Sequence, residues 1–434
     1  MENSITVCQD TEEVIDVIRR MITERSLYQN SDDAFYVMDM GYQVKMVDQW
    51  KRLLPKVYPY YAVKANPDPV LLQIFAKMNF GFDCASLHEI QTILNLNVQP
   101  SRIVYAQPHK QTSHLKYAAA VGVEMTVFDD ENELYKIKKI APNMRLLLRL
   151  CTKGLTDSIT GPMADKFGCP RNETSHLLTL AKNLDLKVVG VSFHVGSLGA
   201  TADSAEVYAR AIEAAKNIFS EGRALGFDFE ILDIGGGFPA KTTVNYSTLD
   251  FNEVVNIISM SIDNEFGNDG TFQVIAEPGL QFAMPSTVLV ANIIGKRRKP
   301  SKGDPMSNES GMGFDYFIND GIFTSFLKYA LVPDVTPVVK PVAQIYANVP
   351  SHTCRIWGQS CAGNDVVVQN CKLPEMNVGD WLFFTDQGSY SSALATTFNG
   401  FQQHPVHRFI TQSSKTKLDQ LLVEAPFQLQ YYTK

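Results

Sequence analysis

The stretch Tyr61-Ala62-Val63-Lys64-Ala65-Asn66 decides how this chain is read. Tyr, Ala and Val suit a buried strand, and Asn66-Pro67-Asp68-Pro69 reads as a turn into a helix. A lysine at the end of a buried strand is costly unless it is used. It either escapes to solvent at the strand tip or is held in a pocket to form a Schiff base with an aldehyde cofactor. Taken alone, the segment favours the first reading. The surrounding chain favours the second.

Outward from Lys64, strand-like runs alternate with helical patterns. The runs are Tyr61–Lys64, Gly81–Ala85, Arg102–Ala106, Met125–Asp129, Arg145–Leu150, Lys187–Val195, Phe229–Ile234 and Phe272–Ala276. Segments with helical periodicity, such as Pro69–Met78, Glu131–Ile140 and Ser204–Leu225, separate them. Eight such alternations predict an α/β fold, a (β/α)8 TIM-like barrel over residues 40–280. After Gly279 the pattern becomes β-rich, with runs at Thr287–Ile294, Pro341–Tyr346, Arg355–Trp357, Val366–Val368 and Trp381–Phe384 and no long amphipathic helix. Residues 281–434 are therefore expected to form an all-β domain. The N-terminal segment 1–39, helical over Glu12–Glu24, should lend it a strand at Ala34–Met38. Residues 300–312 read as a surface loop.

Composition narrows the function. With 434 residues, 45% of them hydrophobic, the chain can bury large cores in two domains. A net charge of -7 and the absence of a long basic run argue against a nucleic-acid partner. No run of about 18 apolar residues predicts a membrane span. The acidic start (Glu2, Asp10, Glu12, Glu13) does not suit a signal peptide. Seven cysteines without C-x-x-C or metal-type spacing suit a reduced, cytoplasmic protein with no metal site.

A barrel of this kind carries its chemistry at the carboxyl ends of its strands. Those ends read Lys64; Asp83, with Glu89 just beyond; Arg149; His194 with Ser197; Gly235-Gly236-Gly237; and Glu277. Each has a plain alternative: helix N-terminal acids for Asp83 and Glu89, a surface ion pair for Arg149, a satisfied core histidine for His194, a tight turn for the glycines. Together they suit pyridoxal 5'-phosphate. The glycines let backbone N–H groups approach a phosphate, and Ser197 adds a hydroxyl. Glu277 can pair with a protonated ring nitrogen, His194 can stack on a flat ring, and Lys64 can take the aldehyde.

The sequence resembles the eukaryotic ornithine decarboxylases over nearly its full length. The matching pieces include Tyr61-Ala62-Val63-Lys64, Gly81-Phe82-Asp83-Cys84-Ala85-Ser86, Lys166-Phe167-Gly168, Phe193-His194-Val195-Gly196-Ser197, Asp233-Ile234-Gly235-Gly236-Gly237-Phe238-Pro239 and Ala276-Glu277-Pro278-Gly279. In the β-rich part they are Asn319-Asp320-Gly321, Trp357-Gly358, Cys361, Leu373-Pro374-Glu375 and Thr397-Phe398-Asn399-Gly400-Phe401. The resemblance implies a decarboxylase that converts L-ornithine to putrescine and CO2 in polyamine biosynthesis. It implies that Lys64 carries the cofactor, surrounded by Asp83, Glu89, Arg149, His194 and Glu277. Ser197, Gly235–Gly237 and Tyr390 would hold the phosphate. It also implies a homodimer with shared active sites, in which Cys361 from the other subunit reprotonates the α-carbon. Lys166 with Asp365, and Asp129 with Arg297, align with charged pairs that bridge such dimers.

Three departures bear on the reaction. Leu280 stands where the family has an arginine that contacts the phosphate. A lost charge-assisted hydrogen bond of about 1.5–3 kcal/mol predicts roughly 10- to 100-fold weaker cofactor binding. Ala362 replaces an aspartate that contacts the substrate's terminal amine. Beyond Phe323, Leu331-Val332 replace a Tyr-Asp pair, with Asp334 two places late. An ammonium without a partner is costly to bury, so ornithine is expected to be a poor substrate and a less polar amino acid a better one. Antizyme inhibitors resemble the same enzymes without catalysing. Residues 110–136 resemble the family's antizyme-binding element, which keeps a regulatory role open.

Overall fold

The computed structural model describes residues 4–29, 31–155, 165–196, 205–243, 249–267, 272–300, 312–332, 335–347 and 349–424. They form two compact units. Residues 46–241 and 249–281 belong to one; residues 4–45, 242–243 and 282–418 belong to the other.

Two strands precede the barrel in the chain, β1 (Ile5–Cys8) and β2 (Phe35–Asp39). The barrel strands are β3 (Val57–Ala62), β4 (Gly81–Cys84), β5 (Ile103–Tyr105), β6 (Met125–Phe128), β7 (Arg145–Leu150), β8 (Lys187–Phe193), β9 (Ile231–Asp233) and β10 (Gln273–Ala276). All pair in parallel, and β10 closes on β3. Each of the eight expected runs contributes one strand. The intervening helices start on local signals. Asp68 accepts hydrogen bonds from the Val70 and Leu71 N–H groups, with Pro69 at the first helical position. Ser86 and Asp130 cap the helices Leu87–Leu94 and Glu131–Ile140 in the same way.

The first strand departs from expectation. It begins at Val57 and ends at Ala62, and Val63–Ala65 form a 3-10 turn, so Lys64 lies just past the strand. All six strand residues are buried, which leaves no alternation from which to read a boundary. The Tyr61 hydroxyl donates to Asn66 O at 3.1 Å and the Ala62 N–H to Pro278 O at 3.0 Å, which fixes the turn beside the end of β10.

In the second unit β2 is joined by β11 (Thr287–Pro300), β12 (Met312–Ile318), β13 (Val339–Pro341), β14 (Ser351–Trp357), β15 (Val366–Pro374), β16 (Trp381–Phe384) and β17 (Val406–Thr411). The sheet runs β1-β17-β2-β11-β12-β14-β15, with β16 also on β11 and β13 on β16. Strand β11 pairs with β2 and β16 over its first half and with β12 over its second, its register shifting between Ile293 and Gly295. Leu289, Ala291 and Ile293 enter one core; Val288 and Val290 enter another. The β-rich reading holds, with corrections. The strand expected over Pro341–Tyr346 stops at Pro341, and Gln344–Tyr346 is a 3-10 turn. A helix, Gln412–Glu424, follows β17 where no long helix was expected. The loop expected at 300–312 lies largely outside the described residues.

Gly190 is where the barrel wall is tightest. It pairs with Ile231, and a Cβ there would lie 1.8 Å from Ile231 O. Gly190→Ala is expected to destabilise the protein at or beyond the upper end of the roughly 1–3 kcal/mol range for overpacking. Thermal unfolding of the variant checks this, and an unchanged melting temperature contradicts it.

Candidate active site at the carboxyl ends of the barrel strands

Strands β3 and β4 pair Ala62 with Asp83. This puts the Lys64 ammonium, in the turn beyond β3, against the Asp83 carboxylate, with which it forms an ion pair. Asp83 is fully buried, and its other oxygen, Oδ1, has no hydrogen-bond partner among the described residues. Glu89, in the first turn of the next helix, accepts the Ala85 N–H; burial raises its pKa. Arg149, on β7, is also buried and adds the second cation of this group.

His194 follows β8 directly. Its Nδ1 accepts the Gly196 N–H at 2.8 Å, which leaves that nitrogen unprotonated and fixes the ring. Burial, then Arg149 and Lys64, hold its pKa well below the ordinary histidine value, so the ring is neutral. Glu277 follows β10 and donates its backbone N–H to Gly235 O at 2.7 Å. Its side chain is buried with Oε1 unpartnered among the described residues. Burial, then Asp233 and Asp83, push its pKa well up.

Asp233 was not among the expected site residues. It ends β9, accepts the Gly235 N–H through Oδ1 at 2.9 Å, and turns a buried Oδ2 to no donor among the described residues. Burial raises its pKa to about 7. One signal was available: an acid inside the apolar run Ile231-Leu232-Asp233-Ile234, directly before the glycines.

The glycine loop is shaped by close approach. Gly235 and Gly237 have φ of 65° and 99°. A Cβ on Gly235, Gly236 or Gly237 would lie 2.1 Å from Phe193 O, 2.6 Å from Glu277 O or 2.4 Å from Gly196 O. Side chains are excluded, so the loop offers backbone to whatever sits above it. The barrel thus brings together Lys64, Asp83, Glu89, Arg149, His194, Gly235–Gly237 and Glu277. Ser197 lies outside the described residues. This set fits pyridoxal phosphate: the cradle accepts a phosphate, and the unpartnered Glu277 Oε1 accepts a protonated ring nitrogen.

The remaining expected residues belong to the β-rich unit. Cys361 is exposed, and its N–H donates to Asn399 Oδ1 at 2.9 Å. The adjacent Phe398 packs on Phe323 with ring centroids 4.7 Å apart. Ala362, half-buried, donates its N–H to Ser360 Oγ at 3.3 Å. Leu331 and Val332, 66% and 39% exposed, end the short helix Leu327–Leu331. Asp334 lies outside the described residues. Tyr390 is half-buried, with φ of 52°.

Two acids near this cluster are committed. Asp320 is buried and accepts from the Ser325 N–H at 3.1 Å and from the Thr324 and Ser325 hydroxyls. Asp365, 1% exposed, accepts from the Ile322 and Ser360 N–H groups at 2.7 and 3.0 Å. Gly321 and Gly358 pack so closely on Asp365 that a Cβ on either would lie 2.6 or 2.2 Å away. Within 110–136, Lys110 and Lys136 both pair with the buried Glu133. Asp129 accepts the Gly168 N–H at 2.8 Å, and the Arg297 side chain is exposed over the Phe317 ring.

Comparison with known proteins gives the family. Residues 42–284 match the family described as "Pyridoxal-dependent decarboxylase, pyridoxal binding domain". Antizyme inhibitor 2 of Xenopus laevis is 40% identical over 395 residues, covering 90% of this chain and 84% of that protein. Ornithine decarboxylase of Rattus norvegicus is 38% identical over 408 residues, covering 92% and 85%. Among solved structures, the arginine decarboxylase of Paramecium bursaria Chlorella virus bound to agmatine is 33% identical with a TM-score of 0.81, covering 92% of this chain and all of that one.

The pair Asp233 and Glu277 predicts a pH effect on the cofactor-free protein. Folding raises the Asp233 pKa above its ordinary 3.8. The folded state therefore binds a proton that the unfolded chain releases, and stability falls as pH rises through about 7. Asp233→Asn keeps an acceptor for Gly235 and removes the buried charge. Its melting temperature at pH 8 should rise by roughly 2–4 °C for each kcal/mol gained, with a smaller gain at pH 5. A lower melting temperature at pH 8 contradicts this account.

Proposed function

This chain belongs to the family of pyridoxal-dependent decarboxylases, and from that membership we propose that it removes the α-carboxyl group of an L-amino acid less polar than ornithine. Its cofactor is pyridoxal 5'-phosphate. When bound, the cofactor supplies an electron sink for the charge left at the α-carbon as CO2 departs. The protein binds, orients and moves protons. Lys64 is the amine that takes the cofactor aldehyde, and Asp83 directs its ammonium. Glu277, whose Oε1 has no partner among the described residues, would hold the proton of the ring nitrogen. His194, neutral and fixed through Nδ1, offers a flat face without adding charge. Gly235–Gly237, Ser197 and Tyr390 grip the phosphate without the help of an arginine at 280.

The assembly we propose is a cytoplasmic homodimer with shared active sites, in which the Cys361 thiol from a second copy returns a proton to the α-carbon. The substrate reading rests on one observation. Ala362 follows Cys361, Phe323 packs on Phe398 beside Asn399, and Leu331 and Val332 are exposed at the end of a short helix, so the positions read as the substrate pocket are apolar, while the acids Asp320 and Asp365 are buried and hydrogen-bonded. Among the described residues, a terminal ammonium is offered no uncommitted carboxylate at these positions. CO2 release from a panel of amino acids with added pyridoxal phosphate tests this. Leucine, methionine or phenylalanine should turn over better than ornithine, and faster turnover of ornithine overturns the reading.

A second reading is supported by the identity to an antizyme inhibitor: a catalytically weak or inactive regulator of polyamine synthesis that binds antizyme through residues 110–136. Borohydride reduction with the cofactor present separates the two. A pyridoxyl label on Lys64 is expected from the enzyme, and its absence favours the regulator.

A further inference from the structure

Between β16 and the 3-10 turn Ser392–Leu394 the chain adopts a conformation that few side chains choose. Asp386 and Tyr390 have φ of 58° and 52°, left-handed values that persist only where surroundings over-determine them. Several contacts do so here. The Gln387 N–H donates to Thr287 O at 2.8 Å, and the Gly388 N–H to Met284 O at 3.0 Å. A Cβ on Gly388 would lie 1.7 Å from Ala283 O, so the loop rests directly on that backbone. The Asp386 carboxylate accepts the Thr243 N–H at 2.9 Å.

One further contact comes from a charged side chain. The Lys328 Nζ donates to Asp386 O at 2.7 Å and to Ser389 O at 3.1 Å. It also lies 5.0 Å from the centroid of the Tyr329 ring. Lys328 is buried, and burial pulls its pKa down to about 7 against the opposing charge of Asp386. A lysine is seldom left inside a protein without use. This one gives two hydrogen bonds to the loop and is 8% exposed.

We propose that Lys328 is a positioning residue for the cofactor: by tying the carbonyls of Asp386 and Ser389 it sets the backbone from which Tyr390 reaches the phosphate. The inference rests on the reading of Tyr390 as a phosphate ligand. It carries more weight in this chain because Leu280 removes the family's cationic contact, so each remaining phosphate ligand has to be well placed.

Titration of cofactor-free full-length protein with pyridoxal phosphate, followed by absorbance, tests the proposal on Lys328→Met, Tyr390→Phe and the double variant. Each single change should weaken binding by about 3- to 10-fold, the effect of one hydrogen bond. The double variant should bind little worse than Tyr390→Phe, because Lys328 acts through Tyr390. A purely structural lysine would lower the melting temperature and leave the dissociation constant unchanged. That result overturns the proposal, as does a Lys328→Met loss that persists in full in the Tyr390→Phe background. If Tyr390→Phe binds as tightly as the parent, the phosphate reading of Tyr390 fails, and the proposal with it. Should Lys328→Met fail to fold, Lys328→Gln, whose amide can still donate to a carbonyl, takes its place. It should bind the cofactor more tightly than a Lys328→Ala variant, and equal binding by the two overturns the inference.

Discussion

A carboxylate with no exposed surface, Asp83, faces the ammonium of Lys64 at the barrel mouth. A buried charge is tolerated only with a partner, and this pairing organises the groups around it. The mouth holds four acids, Asp83, Glu89, Asp233 and Glu277, against two cations, Lys64 and Arg149. Burial, and then the neighbouring acids, raise the pKa values of Asp233 and Glu277. The same surplus of negative charge suits a ligand whose ring nitrogen carries a proton. Burial, and then the cations beside it, keep His194 neutral, so its ring does not compete for that role.

The two units place their polar groups differently. The barrel supplies charge and backbone donors in a setting that excludes side chains from the glycine loop. In the β-rich unit the Cys361 N–H is anchored to Asn399, and Phe323 packs on Phe398. Its nearby acids are spent on turns: Asp320 and Asp365 accept backbone and hydroxyl donors inside their own loops. Polarity in this unit therefore serves its architecture.

Much of this was legible in the sequence. The barrel strands are short apolar runs between amphipathic helices, and each expected run contributed one. Lys64, Asp83, Arg149, His194 and Glu277 stood out because each is polar at the end of such a run. Asp233 was hidden for the opposite reason, since apolar neighbours on both sides made it look like part of a strand. Strands β1, β12 and β17 were missed because polar residues break their pattern, as Asp315 does in β12 and His407 and Arg408 do in β17. Lys328 gave no signal: its burial depends on carbonyls some 58 and 61 residues away. The burial of Asp365 gave no signal either, because the two glycines that enclose it, Gly321 and Gly358, lie in separate segments.

Strand β2 carries a consequence for synthesis. Its partners are β11, beginning at Thr287, and β17, beginning at Val406. On the ribosome, Phe35-Tyr36-Val37-Met38 emerges long before either, and the whole barrel is made in between. At roughly 5–20 residues per second, Tyr36 waits on the order of 20–70 seconds for its neighbour Val406. Through that interval an apolar strand with open edges is exposed to any passing chain. A barrel that closes early on its own, β10 onto β3, shortens the list of things the nascent chain can do wrong while β2 waits.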